Sequence, residues 1–138
     1  MLAEAGLGLL SAVIALRTLP FRYTARLAGL SPGAEASAAS LGQLERAERV
    51  GWAVRRVAGR TPWMGTCLVQ AVAGAVLLRR RRIPANVSFG VARDGAASDG
   101  WTAHAWLSCA GRVLIGDGPQ RARCAVVGVY SSRPDRQP

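Results

Sequence analysis

The chain has 138 residues and a formal net charge of +10, and all 18 of its basic residues are arginine. Half of the residues are hydrophobic and 19% are charged, which excludes intrinsic disorder for most of the chain. The length suits a single domain, and three cysteines are too few for a disulfide-stabilised secreted scaffold.

Residues 1–60 are predicted to form a helical region. The apolar run 5–16 is shorter than the roughly 20 residues that span a bilayer, and Glu4 stands where a signal peptide carries positive charge. We therefore expect a buried or interface-forming helix that ends before Pro20, in a cytoplasmic protein without membrane contact. A short helix is predicted over 21–28, followed by a linker over 30–40.

Two longer helices are predicted after the linker. Ser40 and Gln43 have the spacing of a capping box, and the apolar residues behind them recur at helical intervals as far as Gly59. The apolar stretch 67–78 predicts the second helix. The arginines at 79–82 suit the negative pole at its end.

Beyond Pro84 the pattern changes to alternation, which predicts strands. The predicted strands are 87–91, 102–109, 112–116 and 124–130. Helices followed by an antiparallel sheet give an α+β fold class. The predicted organisation is a helical region (1–60), a catalytic core (61–130) and a flexible tail (131–138).

Cys67 is the first candidate for chemistry because it lies where a loop becomes a helix. The positive helix pole and the free backbone N–H groups there stabilise a thiolate, and the same N–H groups can hold an oxyanion. A buried, inert cysteine is the ordinary alternative.

His104 is the single histidine of the chain. A lone histidine is more often structural than catalytic, because its ring bonds readily to backbone groups. Any Cys–His nucleophile pair in this chain must nevertheless join Cys67 to His104.

Asp117 is the candidate for the third member of a triad. A two-residue hairpin loop at 110–111 would pair Cys109 with Arg112 and His104 with Asp117, on one face of the sheet. A carboxylate there would hold the imidazole in one tautomer. A bulge would break this register. Asp117 also belongs to a Gly-Asp-Gly-Pro turn sequence, so a role in the triad and a role in the turn both stay open.

A metal site is the competing chemistry for these residues. The possible ligands are Cys67, His104, Cys109 and Cys124, but no close zinc-binding spacing is present, and Cys109 has the strand parity opposite to that of His104. We therefore expect no metal and no cofactor.

Four segments, taken together in their order along the chain, resemble the corresponding segments of a known family. They are Cys67-Leu68, the run 77–85 that ends in Ile-Pro-Ala, the run 89–93 (Phe-Gly-Val-Ala-Arg), and Ala-His-Ala-Trp-Leu at 103–107. The combination resembles the transglutaminase-like cysteine peptidases of lasso-peptide biosynthesis over residues 61–119.

The resemblance implies a papain-like or transglutaminase-like fold with a triad of Cys67, His104 and Asp117. It implies an enzyme that removes the leader from a ribosomally made precursor peptide, before a separate macrolactam cyclase closes the ring. The 60 helical residues before the core contain no predicted strand, so the chain looks like the stand-alone form. That form works with a separate leader-recognition protein.

Two positions depart from the pattern of similar proteins. Ser108 stands where an acidic residue is common, and Arg82 replaces a common glycine before the Ile-Pro pair. Trp63, four residues before Cys67, is a candidate for the cleft wall or the oxyanion hole and equally for the core.

Two alternative functions remain open. An acyltransferase of transglutaminase type would use the same triad and pass the acyl group to an amine. A basic module would bind an anionic partner through Arg79 to Arg82. The chain has no recognisable nucleic-acid motif, so a nucleic-acid partner is not expected.

Overall fold

The computed structural model describes residues 1–33, 38–61 and 66–132. The helices are α1 (Leu2–Thr18), α2 (Phe21–Leu27), α3 (Leu41–Ala58), α4 (Cys67–Arg80) and α5 (Pro119–Arg123). The strands are β1 (Leu30–Pro32), β2 (Ala85–Arg93), β3 (Trp101–Cys109), β4 (Arg112–Ile115) and β5 (Ala125–Ser132). The predicted α+β fold class is confirmed.

The strands form one antiparallel sheet in the order β1-β5-β2-β3-β4. The hairpin between β3 and β4 turns on Ala110 and Gly111, which both have positive φ (49° and 81°), as a two-residue primed turn requires. Cys109 pairs with Arg112, as the sequence predicts.

The helices α1, α3 and α4 pack together, and α4 lies on β2 and β3. One core cluster takes residues from α1, α3, α4 and the sheet, so the helical region and the predicted catalytic core share it. Gly74 in the middle of α4 allows the close approach. A Cβ atom there would lie 2.5 Å from Leu107 Cδ2 and 2.9 Å from Ile115 Cδ1.

The ends of α3 and α4 follow from local sequence. The predicted capping box is confirmed, since Gln43 N donates to Ser40 Oγ and Ser40 N donates to Gln43 Oε1. Helix α4 ends in a Schellman motif, in which Ile83 N bonds Leu78 O at 3.0 Å and Arg82 N bonds Arg79 O at 2.9 Å. Arg82 has φ 56°, a conformation that favours glycine, the residue that the resemblance leads us to expect there.

Helix α1 is apolar on both its buried and its exposed sides. Leu9 is buried in the core, whereas Leu7 is 67% and Ile14 54% exposed. The exposed side borders a largely apolar cavity of about 370 Å³ between α1, α2 and α4. Among the described residues, no helix has the length and hydropathy needed to cross a bilayer.

Three local features differ from the sequence predictions. Strand β1 occupies part of the predicted linker, and α5 begins at Pro119, whose fixed φ suits a first helical turn. Strand β5 continues to Ser132, and Ser131 and Ser132 are buried, so the sheet extends two residues into the range predicted as a tail. Residues 133–138 lie outside the described residues.

Candidate active site

Cys67 is the first residue of α4, and its side chain is half-buried. Thr66 caps the helix, because its hydroxyl oxygen accepts from Val69 N at 3.3 Å. The N–H groups of Cys67 and Leu68 have no partner within the helix, as at any helix start. The prediction that Cys67 lies at a helix N-terminus is confirmed.

His104 lies in β3, and its ring is half-buried. Its Nε2 is 2.8 Å from the carbonyl oxygen of Gly116, and its ring stacks on Trp106 with centroids 6.0 Å apart. A carbonyl only accepts hydrogen bonds, so Nε2–H is the donor and Nδ1 is left with a lone pair. His104 is therefore held in the tautomer whose Nδ1 can take a proton.

Cys67 and His104 line one open cavity of about 290 Å³. The other lining residues are almost all apolar; they are Leu68, Phe89, Gly90, Val91, Ala103, Ala105 and Val127. Side chains alternate along β3, so His104 shares a face with Trp106, while Leu107 and Cys109 face the core under α4. In the described residues the imidazole bonds Gly116 and makes no hydrogen bond to the thiol.

Asp117 makes no hydrogen bond to His104 in the described residues, and the predicted register holds only as far as the Ser108–Val113 pair. Leu107 pairs with Ile115 and Ser108 with Val113, so Leu114 is an extra residue on β4. The guanidinium of Arg55 in α3 donates to the Leu114 carbonyl, which holds this bulge in place. Strand β4 then ends at Ile115, two residues before Asp117.

The carboxylate of Asp117 serves the turn into α5. Its side chain is 65% exposed, and Oδ1 accepts from Arg121 Nε at 2.9 Å and from Gly118 N at 3.0 Å. The Arg121 bond, followed by the Gly118 bond, lowers the pKa of this carboxyl from its usual value of 3.8. Asp117 thus has the turn role that the Gly-Asp-Gly-Pro sequence predicts.

Gly116 is the residue at the site that sequence reasoning did not single out. It has φ 86°, and a Cβ atom there would lie 2.7 Å from the Ala105 carbonyl oxygen and 2.8 Å from Trp106 Cβ. Only glycine fits both constraints, and its carbonyl then reaches the imidazole. The sequence shows a glycine in this turn, but it does not show the direction in which the glycine carbonyl points.

The other cysteines differ from Cys67. Cys109 is fully buried, and burial raises the pKa of its thiol, so it stays protonated and unreactive. Cys124 is half-buried and packs near Gly90. The described residues include no group of three or more His, Cys, Asp or Glu arranged to hold a metal ion. Trp63, the candidate for the cleft wall, lies outside the described residues.

Three of the four arginines at 79–82 make contacts that hold the fold together. Arg81 pairs with Glu4 of α1 and donates to Leu77 O, and this pairing lowers the pKa of Glu4. The Arg79 side chain lies over Gly29, where a Cβ atom would meet it at 2.3 Å. The carbonyl of Arg82 accepts from Gln43 Nε2. These contacts join the end of α4 to α1, α2 and α3.

The family model described as the transglutaminase-like superfamily matches residues 7–129 of the chain. The match begins within α1 and extends into β5, so it includes the helical region as well as both candidate residues. No curated protein and no solved structure matches the chain.

Proposed function

Because the chain belongs to the transglutaminase-like superfamily, typically cysteine-dependent enzymes, we propose that it is a cysteine peptidase that removes the leader from a lasso-peptide precursor. The observation that carries the proposal is the cavity lined by both Cys67 and His104, with Cys67 at the start of α4. The motifs in residues 61–119 supply the substrate class. A separate leader-recognition protein delivers the precursor, and a macrolactam cyclase acts on the product.

In the proposed reaction, His104 Nδ1 takes the thiol proton of Cys67, and the thiolate attacks the scissile carbonyl carbon. The N–H groups at the start of α4 stabilise the oxyanion that forms. The C–N bond breaks, the leaving amine takes the proton from the imidazolium, and the leader remains as a thioester. Water then hydrolyses the thioester, which releases the leader carboxylate and the free thiol.

The described geometry changes the third member of the proposed triad. Gly116 orients the imidazole through Nε2–H, the position that Asp117 was predicted to fill. Proton transfer requires the His104 side chain to move toward Cys67, because His104 lies on the Trp106 face of β3 whereas α4 packs on the opposite face. Catalytic hydrogen bonds that are absent without substrate commonly form in the substrate complex.

The test is to incubate the purified chain with the precursor peptide, with and without the leader-recognition protein, and to read the fragment masses. Wild-type chain with its partner should give two fragments whose masses sum to the precursor plus one water. Cys67→Ala and His104→Ala should give none. Cleavage at an undiminished rate by Cys67→Ala would overturn the proposal.

Cys124→Ala is the matched control, because Cys124 is also a half-buried free cysteine but does not line the cavity. It should cleave at close to the wild-type rate. A loss of cleavage in both cysteine variants, with far-UV circular dichroism unchanged, would contradict the assignment of the nucleophile to Cys67.

An acyltransferase is the second candidate function, and the apolar cavity wall favours it. Apart from Cys67 and His104, the described residues that line the cavity offer no charged or strongly polar side chain that could position water. An amine added to the reaction distinguishes the two functions. A product that contains a new amide to that amine indicates transfer, and a free leader carboxylate indicates hydrolysis.

A further inference from the structure

Strand β5 has an edge that no strand covers in the described part of the chain. On its outer side β1 pairs only with residues 130–132, and Gly33 N extends that contact by one bond to Val129 O at 3.2 Å. Among the described residues, those at 125–128 pair with β2 alone. Unpaired edge backbone groups are a template for adding another strand.

The direction of the backbone groups on this edge follows from the register. The Val129 carbonyl points outward, because it accepts from Gly33. Val129 pairs with Ser88 and Val126 pairs with Gly90, with Val127 as the extra residue of a bulge between them. Ser88 and Gly90 are two residues apart on β2, so their partners present N–H and C=O to the same side. Val126 therefore offers an outward donor and acceptor.

The open edge leads directly into the candidate active site. Val127 lines the cavity that also contains Cys67 and His104. Val126 and Val127 are 58% and 64% exposed, although valine on a strand is ordinarily part of a packed face. A strand added beside residues 125–128 would therefore pass the mouth of the cavity.

The charges near this edge favour an acidic partner. Arg123 ends α5 immediately before β5, and Arg93 ends β2, whose residue Val91 pairs with Ala125. Both side chains are exposed, and neither forms an ion pair within the described residues. The guanidinium of Arg123, and that of Arg93, which lies over the Trp101 ring at 5.1 Å from its centroid, are thus at the end of the strand pair where the open edge begins.

We propose that residues 125–128 bind an extended, acidic segment of the peptide substrate as an added strand, with an apolar side chain of that segment directed into the cavity. Main-chain hydrogen bonds from such an added strand supply affinity, and the cavity supplies selectivity. This inference rests on the proposed function for the identity of the substrate. The binding itself depends on β5 and not on the thiol.

The test measures binding in the Cys67→Ala background, so that it does not depend on cleavage. The probe is a short fluorescein-labelled peptide of alternating glutamate and valine, followed by fluorescence polarisation. A second peptide carries N-methyl groups on alternate amides and so lacks the donors that an added strand uses. We expect the methylated peptide to bind about tenfold more weakly, which corresponds to the loss of one to two hydrogen bonds.

Val126→Pro removes the outward N–H while leaving the bonds of β5 to β2 in place. Val126→Thr is the matched control, because it keeps the N–H and the β-branched shape. We expect proline to weaken binding about tenfold and threonine to change it less than about threefold. Equal affinity for Val126→Pro and Val126→Thr, or for the two peptides, would overturn the proposal.

A second copy of the chain is the competing occupant of the edge. Sedimentation velocity should show a monomer, and a dimer that Val126→Pro converts to monomer would overturn the peptide proposal. The outcomes also separate this proposal from the proposed function. If Val126→Pro cleaves the precursor with unchanged kcat/KM, strand binding at residues 125–128 is refuted and the proposed peptidase function is not. If the chain binds the probe as an added strand but cleaves no precursor, the proposed peptidase function is refuted and strand binding is not.

Discussion

The inner face of the sheet and the turn beyond β4 position the two halves of the candidate site by different means. On the inner face, α4 packs so closely on β3 and β4 that a Cβ atom at Gly74 would meet the side-chain ends of Leu107 and Ile115, and these apolar contacts position the helix that begins at Cys67. At the turn, a bulge and a glycine of positive φ aim a single carbonyl at His104. Packing thus positions Cys67, whereas backbone conformation positions His104.

The largest expected effect lies on the inner face. Leu107→Ala removes a fully buried side chain that contacts α4, and the free energy of unfolding should fall by about 2–5 kcal/mol. Leu41→Ala, at a position that is 82% exposed, should change it by less than about 0.5 kcal/mol. Urea denaturation measures both. Similar losses in the two variants would contradict the assignment of the core.

Gly116→Ala tests the turn and is expected to be nearly as severe. The added Cβ meets the Ala105 carbonyl oxygen at 2.7 Å and also forces alanine into a positive φ, so about 3 kcal/mol of stability should be lost, together with activity. Gly111→Ala is the control, because Gly111 has φ 81° with nothing within 4 Å. It should lose only about 1 kcal/mol, from the backbone strain alone. Equal losses would show that the close contact at Gly116 is unimportant.

Arg82→Gly should stabilise the chain. Arg82 adopts a left-handed conformation at the end of α4, which costs a residue with a side chain about 1–2 kcal/mol relative to glycine. The contacts of its backbone with Arg79 and Gln43 remain possible in glycine. Thermal denaturation should therefore show a higher Tm. A lower Tm would mean that the arginine side chain contributes more than the strain removes.

The smallest effect is expected for Asp117→Asn. The pKa of Asp117 is lowered by Arg121, so its contribution to stability is present at neutral pH and is lost as pH falls below about 4. The variant and the wild type should therefore converge in acid and differ only slightly at pH 7. Cleavage should persist within a few-fold, because Gly116 orients His104. Loss of cleavage as complete as in His104→Ala would restore Asp117 to the triad.

Local patterns predicted most elements and the positions of Cys67 and His104 at a helix start and within a strand. The helix start at Cys67, the capping box at Ser40 and the turn at 110–111 depend on a few neighbouring residues, and each was predictable from the sequence. The bulge at Leu114 was not, because Arg55 holds it from a helix 59 residues earlier. The third group of the site was missed for the same reason.

The hydrogen bond from His104 to Gly116 has a consequence for the pH–rate profile of the proposed enzyme. A carboxylate partner would gain a proton in acid and release the imidazole, which adds a second ionisation to the acid limb. An amide carbonyl does not titrate in this range, so the geometry of the ring is independent of pH. The acid limb of kcat/KM should therefore lack the ionisation that a carboxylate partner would add.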